Sequence, residues 1–274
     1  MKGKPFGEDT EMYNFEFTKP TTIADAVAAL KADEAQALGG GQTLLPTMKQ
    51  RLAAPSSLVS LTAIPEMQGV CMSDANEVCV GGATPHASVA IHAATMFPAL
   101  AALANRIGDP AVRNRGTVGG SLANNDPSAC YPAAALGTGA TIKTNTREIA
   151  ADDYFQGMFT TALEDGEIIT EVRFPVPEKA NYQKFVQPAS RFALVGVFVA
   201  KYADGARVAV TGASSDGVFR WAEAEAALSA DFSAGALAGL AVPGGDMISD
   251  LHGSGEYRAH LVKVMTGRAV TAAA

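Results

Sequence analysis

Residues 35–48 read AQALGGGQTLLPTM, a short strand-like run that meets three consecutive glycines and then an apolar pair closed by proline. Three adjacent glycines extend neither a helix nor a strand without an entropic cost, so the chain has to turn there. It turns with backbone that no side chain shields. Glycine also admits dihedrals that let successive N–H groups face one concavity, a geometry suited to phosphate oxygens. Thr43 adds a hydroxyl donor. The spacing is neither GxGxxG nor GxxxxGK[ST], so the Rossmann and Walker readings both fail. On these residues alone a turn is the commoner reading, with a phosphate seat as the alternative.

The flanking sequence places this loop in a small β-α-β-like unit. Thr21 or Thr22 could cap a helix whose face carries Ile23, Val27 and Leu30, and residues 57–61 form a second strand candidate. The pattern shifts near 62–70. A strand ending at Gly81-Gly82 leads to a helical stretch over 86–108, in which Pro98 starts a second helix or marks a break. Residues 108–129 are polar, rich in Gly and Asn, and without regular periodicity; strands are predicted near 139–144 and 167–175. A boundary is expected near 177–180. Two strands within 182–202, a third over 206–213, a helix at 221–228 and an amphipathic helix over 255–270 follow. On that last helix Tyr257, Leu261, Val264 and Met265 are expected near one face. Strands followed by helices indicate an α+β chain.

A long irregular segment inside a compact domain is usually functional. Here it carries Arg113, Arg115, a second glycine pair in Gly119-Gly120-Ser121, and Asn124, Asn125 and Asp126. The second pair repeats the exposed-amide logic of the first, and an aspartate can accept from two hydroxyls, as a ribose offers. The plainer reading is a solvated loop whose arginines pair with Asp109 or Asp126. Two glycine nests in one chain of this size favour a dinucleotide cofactor.

The other signals exclude more than they assign. A net charge of -7 argues against nucleic acid or an anionic membrane as a partner. Three cysteines, Cys71, Cys79 and Cys130, form no CxxC and supply no chain-contained iron–sulfur cluster. The histidines show no HxH or HExxH spacing; His86 reads as a helix cap. Cys130 reads as a small buried hydrophobe, and Asp152 and Asp153 as the start of a helix or turn. The first 17 residues carry no signal-peptide pattern, and the apolar run at 192–200 is too short to span a bilayer. The chain reads as soluble and cytoplasmic.

The segments LGGGQTLLPTMKQRLAAPSSLVSL and IGDPAVRNRGTVGGSLANNDPSACYPAAAL together resemble the FAD-binding subunit of molybdenum hydroxylases, above all the medium subunit of the aerobic carbon monoxide dehydrogenase type. The likeness continues through DDYFQGMFTTALEDGEIITEVRFP, FALVGV and SDLHGSGEYRAHLVKVM, and covers roughly residues 12 to 270. It implies an FAD-binding domain over 1–177, with subdomains of about 10–62 and 63–177, and a small C-terminal flavoprotein domain over 178–274. It also implies that Gly39, Gly40, Gly41, Gln42, Thr43 and Leu44 line the FAD pyrophosphate. Thr117, Gly119, Gly120 and Ser121 would lie near the flavin and its phosphates, Asn124 and Asp126 near ribityl or ribose hydroxyls, and Gly82 and Thr84 toward the nucleotide.

Three departures stand out. Cys130 replaces an aspartate common in relatives. Val186 follows Phe185 where relatives carry a basic residue, so that Lys184 takes that part. Ser190-Arg191-Phe192-Ala193 replaces Gly-Asp-Phe-Ala. The resemblance implies a molybdenum cofactor-binding large subunit and a [2Fe–2S] small subunit as partners, in a dimer of heterotrimers, with an external electron acceptor and any membrane association peripheral. The alternatives are a stand-alone FAD oxidoreductase and a cofactor-free structural or assembly protein of the same fold.

Overall fold

The computed structural model describes residues 12–273; the N-terminal stretch read for a signal peptide lies mostly outside them. The chain forms an α+β fold of three successive sheets, each with its own apolar cluster or a share in one.

The first sheet is parallel. It is built from β1 (Glu16–Thr18), β2 (Ala35–Leu38) and β3 (Ser57–Ser60) in the order β1-β3-β2. Two helices link these strands, α1 (Ile23–Ala29) and α2 (Leu44–Lys49). Thr22 caps α1 by accepting from the Asp25 amide at 3.1 Å. Ala26, Val59, Ile64 and Met67 close the small core. Each connection is a crossover, so the β2–α2 turn opens at the C-terminal edge of the sheet, where parallel α/β units place ligand loops.

The second sheet holds β4 (Val70–Met72), β5 (Glu77–Gly81), β6 (Thr141–Thr144), β7 (Glu148–Ala150) and β10 (Ile169–Pro175), in the order β4-β5-β10-β6-β7 and all antiparallel. Between β5 and β6 lie α3 (His86–His92), α4 (Pro98–Asn105), α5 (Pro110–Arg113), α6 (Val118–Asn124) and α7 (Tyr131–Thr138). Pro98 is the first residue of α4, where its missing N–H costs nothing. After β7 come α8 (Ala151–Tyr154) and a small hairpin of β8 (Phe155–Gly157) and β9 (Thr160–Thr161). Asp152 opens α8 and ion-pairs with Arg207 and Arg220 at 2.8 and 3.1 Å.

The third sheet is an antiparallel meander of β11 (Lys179–Val186), β12 (Ala193–Tyr202), β13 (Gly205–Ser214) and β14 (Gly217–Arg220), followed by α9 (Ala222–Ala230) and α10 (Gly255–Ala272). Its two faces explain why β12 reads as an unbroken apolar run. Val195, Val197 and Val199 pack against α9 and α10. Phe198 and Ala200 point the other way, into the core shared with α4 and α7. A strand buried on both faces loses the alternation that marks a half-exposed one.

Two expectations need correction. Residues 108–129 are not irregular: they hold α5 and α6, one turn and two turns long, too short to display a 3.6-residue period. On α10 the buried face carries Arg258, Leu261, Val262, Met265 and Ala269, while Tyr257 is 42% exposed and packs edge-on to Phe185. Arg258 displaces Tyr257 from the face because its guanidinium donates to the Leu194 and Gly212 carbonyls at 2.9 and 2.8 Å and to Asp250 at 2.8 Å.

Candidate cofactor cleft

The three units meet around a cleft of about 660 Å³. One wall is the β2–α2 turn. The opposite wall runs from Ile107 through α6 to Cys130, and Lys184, Arg191 and Phe192 of the β11–β12 hairpin complete it.

The first wall is a run of unused donors. Among the described residues, none of the backbone amides of residues 39 to 43 donates to a protein acceptor. Two carbonyls amid these amides are occupied: Gly41 accepts from the Leu45 amide at 3.2 Å and Gly40 from the Gln42 side chain at 3.3 Å. Five successive N–H groups without partners beside a cleft form a seat for an anionic oxygen cluster.

The glycines serve the packing of the two walls more than clearance for a ligand. A Cβ on Gly40 would lie 1.9 Å from the Arg115 carbonyl oxygen and 2.6 Å from the Gly116 Cα. One on Gly39 would lie 2.7 Å from Thr117 Oγ1. Gly41 has φ of +71° and would direct a Cβ at the Leu45 side chain. The absent side chains therefore bring the first loop against residues 115–117.

The second wall departs from the sequence expectation. Gly119, Gly120 and Ser121 do not form a second nest, because the start of α6 and its contact with Gly82 spend their amides. Gly119 donates to the Gly82 carbonyl at 2.8 Å, Gly120 to Thr117 Oγ1 at 3.1 Å and Ser121 to the Thr117 carbonyl at 2.9 Å. Thr117 is the N-cap of α6.

The expected site residues separate accordingly. Gly39, Gly40, Gly41, Gln42, Thr43, Leu44, Thr117, Gly120, Ser121, Asn124, Asp126 and Lys184 all line the cleft. Gly82, Thr84 and Gly119 do not. They form a seam behind it, where a Cβ on Gly82 would strike the Ile169 carbonyl at 2.0 Å and Thr84 Oγ1 bonds both the amide and the carbonyl of Gly69.

Two charged groups line the cleft, Lys184 buried and Asp126 half-buried. Lys184 is 6% exposed, and its ammonium donates to the Arg106 carbonyl at 3.0 Å. Arg106 returns two bonds, to the Tyr182 and Lys184 carbonyls at 3.2 and 3.1 Å. Among the described residues no carboxylate pairs with Lys184, so its charge is left for the cleft. Asp126 accepts from the Ser128 amide at 2.8 Å, and burial raises its pKa from its ordinary value against that bond. Asn125, left-handed at φ of 41°, ties the β8–β9 hairpin to α6 by donating to the Gly157 and Thr160 carbonyls at 2.8 and 2.9 Å. That brings Phe159 to the cleft rim.

Sequence reasoning missed His86. It is not a cap: Pro85 precedes α3 without a side-chain cap bond, and the imidazole lines the cleft, 5% exposed. A single histidine carries no local sequence signal for such a position. Cys130 is buried, as expected, yet also reaches the cleft wall.

A run of unpaired amides, a buried ammonium and polar side chains lining one cleft match the needs of a dinucleotide's phosphates and hydroxyls. The family profile described as the FAD binding domain in molybdopterin dehydrogenase matches residues 13–177. The chain belongs to this family.

Its relatives extend the match to nearly the full length. It is 31% identical to the carbon monoxide dehydrogenase medium chain of Afipia carboxidovorans over 94% of this chain and 96% of that one. It is 34% identical to the nicotine 6-hydroxylase medium subunit of Paenarthrobacter nicotinovorans, again over 94% and 96%. In structure it resembles reconstituted CO dehydrogenase from Oligotropha carboxidovorans, with a TM-score of 0.85, 30% identity, and coverage of 95% of this chain and 98% of that one. Among the described residues no helix is long and apolar enough to cross a membrane.

Proposed function

We propose that this chain is the FAD-carrying electron-transfer subunit of a molybdenum hydroxylase complex. Electrons would enter from the [2Fe–2S] clusters of a small partner, supplied by a molybdenum cofactor-binding large partner, and leave to an external acceptor. Residues 1–177 would bind FAD and residues 178–274 would close the cleft, within a dimer of heterotrimers. The observation that carries the reading is the run of five amides at residues 39–43 that lack a partner among the described residues, facing a cleft that also receives the buried Lys184 ammonium.

The residues divide the work by chemistry. The amides from Gly39 to Thr43 would hold the pyrophosphate, and Lys184 would add a positive charge whose effect is strengthened by burial. Ser121, Asn124 and Asp126 offer donors and acceptors for hydroxyls. Ile107 and Val112 supply an apolar lining, and Phe159 and Phe192, both exposed, stand at its rim. Gly82, Thr84 and Gly119 brace the wall from behind. When bound, the isoalloxazine supplies the electron chemistry, and the protein supplies orientation and electrostatics. No general acid, base or nucleophile is assigned.

The similar medium chains belong to enzymes named for carbon monoxide and for nicotine, so the flavin subunit does not identify the substrate. The test is affinity purification of the chain at native expression. Two copurifying chains, with molybdenum and iron in the preparation, are expected. A chain that purifies alone and oxidises a substrate with its own flavin would replace this reading with a stand-alone oxidoreductase.

A further inference from the structure

His86 is nine-tenths buried at the junction of the two cleft walls, and its chemistry is unspent. It opens α3, and its backbone amide donates to the Gly116 carbonyl at 2.9 Å. The Tyr131 ring lies 5.2 Å from the imidazole, tilted by 45°, and fixes it from one side. Gly116 borders the other edge, where a Cβ would lie 2.6 Å from Nε2 and 2.9 Å from Cδ2. Gly116 is also the residue whose Cα a Cβ on Gly40 would meet at 2.6 Å. His86, Gly116 and Gly40 thus form one contiguous strip of close packing that ends at the unpaired amides.

The two ring nitrogens differ. Nδ1 is sealed from solvent without a partner. Nε2 has no hydrogen-bonding partner among the described residues either, but it is not sealed, and the ring lines the cleft. A neutral imidazole has one N–H and one lone pair. A proton on Nδ1 would be a sealed donor with nothing to receive it, whereas a proton on Nε2 meets the cleft. Burial, and then the positive charge of Arg113, push the imidazole's pKa down to about 4, so the ring is neutral at physiological pH.

On the reading that the cleft holds FAD, we propose that His86 is a neutral N–H donor to the pyrophosphate, delivering Nε2–H to an oxygen seated against the Gly39–Thr43 amides. This is a binding role for a residue outside both glycine motifs, and it would make the seat a five-amide run closed by one side chain.

The test uses the full chain freed of flavin and titrated with FAD, with unfolding midpoints measured in parallel. A glutamine amide nitrogen reaches roughly the position of Nε2, and an asparagine amide nitrogen that of Nδ1. His86→Ala and His86→Asn are expected to weaken FAD binding about tenfold or more, the scale of a hydrogen bond to a charged group, while His86→Gln retains most of it. Equal affinity in all three variants and wild type overturns the inference and leaves the FAD reading intact. Glutamine as weak as alanine at equal stability overturns it too, as does asparagine as strong as glutamine. If His86→Ala does not fold, the glutamine–asparagine pair decides alone. A folded wild-type chain that takes up no FAD at all instead defeats the proposed function.

Discussion

Gly40→Ala probes the contact on which the cleft depends. The new Cβ would sit 1.9 Å from the Arg115 carbonyl oxygen and 2.3 Å from its carbon, whereas ordinary contact begins at 3.4 Å. Both obstructing atoms are backbone, held by α5 and by the bond from the His86 amide to the Gly116 carbonyl, so neither can rotate away. The loops must separate by more than an ångström. Overpacking of this kind costs about 1–3 kcal/mol, and a backbone obstruction belongs at the upper end. If the amides move with the loop, FAD affinity falls by up to about 150-fold for 3 kcal/mol. Gly245→Ala is the control, since a Cβ there meets nothing within 4 Å. The assays are denaturant unfolding and FAD titration of both variants. Gly245→Ala should stay within about 0.5 kcal/mol of wild type. A Gly40→Ala protein with wild-type stability and flavin affinity would refute the close packing of the walls.

Further expectations follow from individual groups. Lys184→Met removes the buried ammonium and should weaken FAD binding by about 10- to 150-fold, the worth of a charge-assisted bond, as read by flavin fluorescence. Asp126→Asn keeps an acceptor for the Ser128 amide and removes a half-buried charge. Because burial raises the Asp126 pKa, the native aspartate's stabilising contribution is present at acid pH and lost as pH rises, so the asparagine variant should be the more stable of the two at pH 7, with the gap closing under acid. Glu167 behaves in the opposite sense. Burial raises its pKa, but bonds from Arg147, Thr144, the Glu164 amide and Thr146 outweigh burial and bring it down to about 2. Glu167→Gln should therefore destabilise the apoprotein at pH 7, with the difference shrinking as pH falls from the unfolded carboxylate range toward 2. Among the thiols, Cys71 is exposed while Cys79 is buried with its pKa pushed up to about 11, so mass-mapped alkylation of the native chain should modify Cys71 first.

Much of this site could be read from the chain because its elements announce themselves locally. The β2 strand, the three glycines and the apolar start of α2 each have a residue-level cause. So do Thr22 as a cap and Pro98 as the first residue of α4. The rest depends on partners far apart in sequence. Gly119 resembled an anion-binding glycine until its amide was found on the Gly82 carbonyl, 37 residues earlier. The helices α5 and α6 are shorter than the period that would reveal them, and β1 and β14 have only three and four residues. Tyr257 fits an apolar stripe by spacing, but Arg258 takes the buried place because three oxygens from β12, β13 and Asp250 await it. His86 is visible only once Gly116 and Tyr131 surround it.

The central claim is that the cleft between the two loops carries FAD. The most direct measurement is equilibrium titration of the flavin-free full chain with FAD, together with the flavin content of the purified protein. The account predicts saturation at one FAD per chain, with affinity weakened in Gly40→Ala. A well-folded chain that purifies without flavin and takes up none when FAD is added would contradict it.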